Sequence, residues 1–395
     1  MNKKIFLLLM LLSTTAGSLV FAQQKSVPGN VQEPFFWIKS RANNDAYYWE
    51  SLTKTEAKVP TNTQKGTAFN FNPSIIFDTA QDSLVLPLGV NSKKKQTVFM
   101  VYKVKDSLKE QLLWTINDTK KTVSVATNKR LVDLKKYSYR SYNEKVKLQK
   151  ANIHFFQQNI TDTVAKPSSL TIGLKSKFEK LPPEEFNGNI SEILVYNRVL
   201  SGVETQKVAS YLAVKYGISL SQFEIKNYLN SSGMTIWDND KHKGFQSSIT
   251  AVGRDDVSGL LQLKSSNMAE EGLLTMELKS KTNKIPNDYF VFWSDNAKNL
   301  LVKKQEQGEP VGVDRQWQLD FTGTSDLNLD WTFDPKFIKG TLPKDTYYWL
   351  LVDHSGKGTY EENNSEYIKL GSTSSKEKLV LKDFNWDQQK SGSVK

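Results

Sequence analysis

The chain has no cysteine in 395 residues and only three histidines. The missing cysteine excludes disulfides, thiolate nucleophiles, every sulfur-ligated metal site and attachment of lipid to a cysteine. The scarce imidazoles, His154, His242 and His354, form no H-E-x-x-H pair, so the common helical zinc motif is absent. No G-x-S-x-G nucleophile elbow occurs. Ser355-Gly356-Lys357-Gly358 fails the phosphate-loop frame, because Leu351 stands where the first glycine belongs and Gly358 where Ser or Thr belongs.

Long apolar runs are also missing, with one short exception. Ile5 to Leu12 is apolar, follows Lys3 and Lys4, and leads to Val20-Phe21-Ala22 before Gln23. It falls well short of the roughly 20 residues that span a bilayer. The pattern predicts a cleaved signal peptide over residues 1–22 and no transmembrane segment, hence an exported, soluble chain in the periplasm or outside the cell.

Charge is the next imbalance. The net charge is +11, and much of the excess lies in Lys93-Lys94-Lys95, Lys120-Lys121, Lys129-Arg130 and Lys135-Lys136, with Tyr137, Tyr139 and Tyr142 interleaved. Such a run suits phosphate contacts and base stacking, but the export signal argues against nucleic acid. An acidic polysaccharide and a merely solvated basic face remain as readings.

Strand signals dominate what is present. Residues 74–77, 83–88, 97–104, 121–126, 169–174 and 190–196 are short β-branched or aromatic runs between polar punctuation. Pro87 marks a strand edge or bulge. Ser201-Gly202-Val203-Glu204 fits a capping box, and Val208, Tyr211 and Leu212 share one helical face before Gly217. That predicts a helix of roughly 13 residues. Runs at 273–278, 289–293, 316–321, 327–333 and 347–352 predict a second β-rich half. The chain is thus expected to be all-β: linker 23–33, a first sandwich at 34–220, a boundary near 218–228, and a second antiparallel sandwich at 228–395.

Two stretches carry a resemblance. Gly188, Ile190, Glu192, Ile193, Tyr196, Asn197, Arg198, Leu200 and Ser201 precede Glu204, Val208, Tyr211, Leu212, Lys215, Tyr216 and Gly217. This strand and helix resemble the close of bacterial concanavalin A-like (LamG-type) lectin/glucanase domains. Trp37, Trp49-Glu50-Ser51 and Asn72-Pro73-x-Ile75-x-Phe77-Asp78 extend it over residues 34–220. The resemblance implies a jelly-roll sandwich closed by one C-terminal helix. Trp237-Asp238, the stretch Ile249 to Gln262 with Val252-Gly253-Arg254-Asp255-Asp256, and Phe290-x-Phe292-Trp293-Ser294-Asp295-Asn296 resemble a domain of unknown function from bacterial cell-surface proteins. Arg315-x-Trp317 and Leu350-Leu351-Val352-Asp353 continue it. The family pattern implies a further strand after Asn385-Trp386-Asp387, so a chain ending at Lys395 reads as a truncated version.

Glycoside hydrolysis needs two carboxylates about 5–10 Å apart. The E-x-D-x-x-E string of the hydrolytic lectin-like members is absent, and Glu184-Glu185 beside Pro182-Pro183 reads as a loop. The expected function is therefore non-catalytic binding, with a glycan or a cell-surface protein as partner. Tyr47, Tyr48 and Trp49 are the candidate glycan platform, although alternation sets Tyr48 opposite the other two and a core role competes. Structural calcium is the one candidate ion. Asp255, Asp256, Asp353, Glu361 and Glu362 are its candidate ligands, against an Arg–carboxylate lock between loops or ordinary acidic turns. Asp238-Asn239-Asp240 begins like an EF-hand loop, but Ile249 occupies the closing Glu position.

Overall fold

A computed structural model describes residues 25–43, 46–53, 63–78, 83–88, 95–105, 111–117, 122–126, 131–132, 138–141, 150–159, 169–172, 184–220, 227–266, 273–279, 284–303, 311–323, 327–342, 345–356, 358, 365–385 and 392–394. Residues 1–22, expected as a signal peptide, Glu361, Glu362 and the basic residues Lys93, Lys94, Lys120, Lys121, Lys129, Arg130, Lys135 and Lys136 lie outside the described residues.

The first half packs two antiparallel-based sheets face to face. One runs in the order Ala46–Ser51, Phe36–Asn43, Gly188–Tyr196, Lys95–Val104, Asn152–Asn159, Ser138–Ser141, with Ile75–Phe77 pairing the far end of Gly188–Tyr196. The other runs Leu84–Pro87, Ser169–Ile172, Gln111–Asn117, Thr122–Ala126, Leu131–Val132. Pro87 is the last residue of an edge strand, where its missing N–H breaks no ladder. Glu184–Glu185, expected in a loop, instead pairs in parallel with Gln111–Leu112.

The strands of the first sheet bury both faces. Phe36, Ile38, Val98, Met100, Ile193 and Val195 turn toward the second sheet and meet Leu84, Leu86, Trp114, Leu170 and Ile172. The alternate residues Trp37, Phe99, Val101, Leu194 and Tyr196 turn the other way into a second apolar core. That core is built around the helix Gly202–Tyr216.

The helix starts as the sequence predicts. Ser201 Oγ accepts from the Glu204 N–H, while the Glu204 carboxylate accepts from the Ser201 N–H at 2.8 Å. It ends at Gly217, whose left-handed backbone (φ 62°) suits glycine. Its burial is broader than a single stripe: Thr205, Ala209, Ser210, Ala213, Val214 and Tyr216 are buried as well as Val208, Tyr211 and Leu212. The reason is a second apolar surface on the far side. Tyr228, Trp237, Ile249, Ala251, Leu260, Phe290 and Phe292 of the second half join the same core. A helix covered all round is central rather than a lid.

The second half is again two sheets. A seven-stranded sheet runs Leu260–Gln262, Ser247–Asp255, Phe290–Asp295, Trp317–Thr322, Gly392–Val394, Tyr347–Asp353, Ser365–Ser372. A four-stranded one runs Lys264–Ser266, Leu274–Glu277, Asn328–Phe333, Leu379–Asn385. Val252, Val291, Trp293, Leu319, Leu350 and Val352 meet Leu274, Met276, Leu329 and Trp331 between them. The layers therefore stack as sheet, sheet, helix, sheet, sheet.

Residues 25–33, expected as a linker, form an ordered strap. The Val27 N–H donates to Val257 O at 3.0 Å, and Ser26 Oγ donates to Asp256 O at 2.7 Å. Val27 and Val31 enter the helix-centred core. Among the described residues no helix is long and apolar enough to cross a membrane.

Candidate functional site

Glu192, the glutamate of the strand motif, is one of the buried charges among the described residues. Its carboxylate is buried between the first sheet and the helix. Oε1 accepts from Trp37 Nε1 (2.6 Å) and Tyr211 OH (3.3 Å); Oε2 accepts from Lys215 Nζ (2.5 Å) and Tyr216 OH (2.7 Å). Burial alone would raise this carboxyl, but the Lys215 ammonium, the Tyr216 hydroxyl and the Lys39 charge hold it below its ordinary value. Burial, with repulsion from Lys215 second, brings nearby Lys39 down to about 8. The group has no open approach for a substrate and reads as a lock between strand and helix. It accounts for the spacing of Trp37, Glu192, Tyr211, Lys215 and Tyr216. Arg198 forks onto Glu204 (2.6 and 3.0 Å), and that hydrogen-bonded pairing first of all takes the Glu204 carboxyl down to about 2.

A second polar lock joins the halves. Asn70 is fully buried with φ 47°; its Nδ2 donates to Ser265 Oγ (2.8 Å) and to the Lys215 carbonyl (3.3 Å). Its Oδ1 accepts from the Ser266 N–H (2.9 Å). Asn72 Nδ2 donates to the same Lys215 carbonyl at 2.7 Å.

Of the described candidate calcium ligands, Asp255 and Asp256 lie together at the end of Ser247–Asp255 and Asp353 ends Tyr347–Asp353, each accepting from protein donors. Asp255 is buried and takes the N–H and hydroxyl of both Ser231 (2.8 and 2.7 Å) and Ser258 (3.2 and 2.8 Å). Asp256 takes a bidentate Arg254 guanidinium at 2.6 and 2.8 Å. Asp353 accepts from the N–H and hydroxyl of Ser355 and from the Gly358 N–H. These are turn and loop locks built on local donors. Among the described residues no three His, Asp or Glu side chains converge on a metal position. The EF-hand-like start is an Asx turn, with Asp238 Oδ1 accepting from the Asp240 N–H (2.8 Å), and Ile249 is core.

The aromatic candidates divide by strand alternation. In Ala46–Ser51, Trp49 is buried and stands edge-on to Phe77 at 6.2 Å, and Tyr47 packs against the same core. Only Tyr48 is exposed, at 44%. Of the three candidate rings only Tyr48 is thus left exposed, and Trp49 takes the competing core role.

A larger exposed aromatic surface lies elsewhere. Leu350 and Val352 of Tyr347–Asp353 point into the second sandwich, so Tyr347, Trp349 and Leu351 share the opposite face. The neighbouring edge strand sets Tyr367 opposite Leu351 and Lys369 opposite Trp349. Tyr347, Trp349 and Tyr367 are 50%, 50% and 46% exposed, and Lys369 Nζ lies 3.2 Å from the Tyr347 ring centre. The helix packs on the other end of this sheet, against Ser247–Asp255 and Leu260–Gln262, leaving this end open. The sequence concealed it because Tyr-Tyr-Trp-Leu-Leu-Val is a near-continuous apolar run, the pattern of a strand buried on both faces. Its only sequence signal is that both aromatics on the odd positions carry polar atoms.

Residues 204–390 match the protein family described as a domain of unknown function, DUF8202. That match begins inside the helix, in keeping with the helix being part of the second half's core. No curated protein matches the chain. Among solved structures it is similar to the receptor-binding domain of botulinum neurotoxin D, with 11% identity and a TM-score of 0.35 over 92% of this chain and 97% of that one. It is similar also to the botulinum neurotoxin serotype D ligand-binding domain in complex with N-acetylneuraminic acid, at 10% identity and TM-score 0.32 over 89% and 92%. Trypanosoma rangeli sialidase in complex with sialic acid aligns at 14% identity and TM-score 0.32 over 44% of this chain. The aligned part spans 32% of the sialidase. Likeness this slight carries no argument about what the chain binds.

Proposed function

We propose that this chain is an exported, non-catalytic binding protein that holds carbohydrate at the cell surface. In this reading a concanavalin A-like jelly roll at 34–220 and the second sandwich form one rigid support, and the ligand lies on the open Tyr347–Trp349–Tyr367 face. The observation that carries it is that face: three half-exposed rings with polar tips on a sheet, with Lys369 opposite Trp349 and Leu351 opposite Tyr367. Flat rings cover the apolar faces of sugars, while hydroxyl, indole and ammonium groups reach their oxygens. Lys369 also favours acidic glycans. A protein partner is the second reading, and the edge position of Ser365–Ser372 favours it, since an edge strand offers unpaired backbone groups to an added strand.

The test is a glycan and polysaccharide screen with residues 23–395, followed by Trp349→Ala and Tyr48→Ala. Trp349→Ala is expected to weaken binding by about fivefold or more, about 1 kcal/mol of stacking, with the fold intact. Tyr48→Ala is expected to leave it unchanged. A folded protein that binds no glycan, or that binds equally well without Trp349, overturns the reading.

A further inference from the structure

Cations crowd one part of the first sheet, on the side that meets the helix. Trp37, Lys39 and Arg41 alternate along Phe36–Asn43, and Trp37 enters the helix-centred core, so all three share that side. Glu50 stands opposite Lys39 on the neighbouring edge strand. Glu192 of the adjoining strand and Lys215 of the helix complete the charges that act on Lys39.

The carboxylates present do not satisfy these cations. Lys215 takes Glu192 at 2.5 Å, and Arg41 takes Glu50 Oε2 through Nε at 2.6 Å. Lys39 Nζ lies 3.9 Å from that same Glu50 oxygen and 5.2 Å from the Trp37 ring centre. Among the described residues Lys39 Nζ has no hydrogen-bond partner, and neither does either Nη of Arg41. Both side chains still reach solvent, Lys39 with 15% of its surface and Arg41 with 45%. Lys39, Arg41 and Lys215 against Glu50 and Glu192 leave one positive charge over. A half-buried ammonium short of a hydrogen bond gains from any anion that brings one. A surplus of one charge suits a monoanion, and the paired oxygens of a carboxylate suit an ammonium beside a guanidinium edge.

We infer that Lys39 and Arg41 form a binding site for the carboxylate of a small organic acid, separate from the Tyr347–Trp349–Tyr367 face. Lys39 supplies the unspent ammonium, Arg41 its free guanidinium edge, and Glu50 limits the affinity by competing for both. Either site can fail without the other.

The experiment titrates acetate, glucuronate and glucose into residues 23–395 at pH 6.5 and constant ionic strength, with lysine methylenes carbon-13-labelled for NMR. The Lys39 signal is the one missing from Lys39→Arg. Both acids are expected to move it with millimolar dissociation constants, and glucose to leave it in place. Equal affinities would mark the carboxylate alone as the feature bound; tighter glucuronate would assign further contacts to its ring. In ligand-observed NMR, Lys39→Met and Arg41→Met should each weaken glucuronate by about tenfold. Glu50→Gln removes the competing carboxylate and should strengthen it by about fivefold. Trp349→Ala should change nothing.

The pH supplies a second readout. Burial first, then Lys215, brings Lys39 down to about 8 against the opposing pull of Glu192 and Glu50. Binding is therefore full below pH 8 and should weaken by about tenfold by pH 9.5, while Lys39→Arg stays charged and binds evenly across that range. The inference is overturned if neither acid moves the Lys39 signal, or if Lys39→Met binds as well as the unaltered protein. It is equally overturned if Glu50→Gln weakens binding, or if Lys39→Arg keeps the pH dependence.

Discussion

Replacing Glu192 by Gln tests the layered architecture most directly. The substitution keeps the shape and removes the charge from a fully buried site. It leaves the Lys215 ammonium, only 14% exposed at its side chain, without its 2.5 Å partner. Trp37, Tyr211 and Tyr216 then compete for a weaker amide acceptor. Breaking one side of a buried ion pair costs about 3–5 kcal/mol. The amide keeps part of the hydrogen bonding, so the lower end, about 3 kcal/mol, is expected. In urea, with a slope of about 3 kcal/mol per molar, the midpoint should fall by roughly 1 M. Adding Lys215→Met removes the stranded charge, so the double variant should regain at least half of the loss. Tryptophan fluorescence and far-ultraviolet circular dichroism should report the same single transition, because the helix belongs to the cores of both halves. A loss under about 1 kcal/mol, or a double variant less stable than Glu192→Gln, refutes the lock.

Two further perturbations follow from buried polar groups. Burial lowers His154 from 6.5 to about 3. The folded protein keeps it neutral while the unfolded chain takes up a proton below pH 6.5. Stability is thus full above pH 6.5 and falls by up to about 1.4 kcal/mol per pH unit as the pH drops toward 3. Melting temperatures at pH 7 and pH 5 measure this, and His154→Leu should flatten the difference; an unchanged slope in that variant contradicts it. Below pH 4.5 the depressed Glu192 carboxyl adds a second loss in the same direction, as its ion pair is protonated away. Asn70→Ala removes the buried amide joining the halves and places alanine at φ 47°. It should cost about 2–4 kcal/mol in the same urea assay, and a cost below 1 kcal/mol would show the contact to be incidental.

Much of the local structure was legible in the residues. The capping box and Gly217 bounded the helix, since both satisfy backbone groups within a few residues. The Arg–carboxylate lock expected between loops is instead local, Arg254 forking onto Asp256 two residues on within one turn. Strands at Lys95–Val104, Gly188–Tyr196 and Tyr347–Asp353 declared themselves by β-branched and aromatic runs.

What local pattern does not contain is the identity of whatever packs against each face. Val208, Tyr211 and Leu212 mark one buried side of the helix, but Ala209, Ser210 and Ala213 are buried only because a second sheet arrives there. Trp49 and Trp349 sit in similar aromatic strand segments, Tyr-Tyr-Trp in both. One is buried by the sheet opposite and the other is left open beyond the helix's reach. By itself the sequence determined strand periodicity, the helix and its caps, and the absence of thiol chemistry. Only the tertiary structure decided which aromatic face meets solvent, because period two creates two faces and only long-range packing chooses which of them is covered.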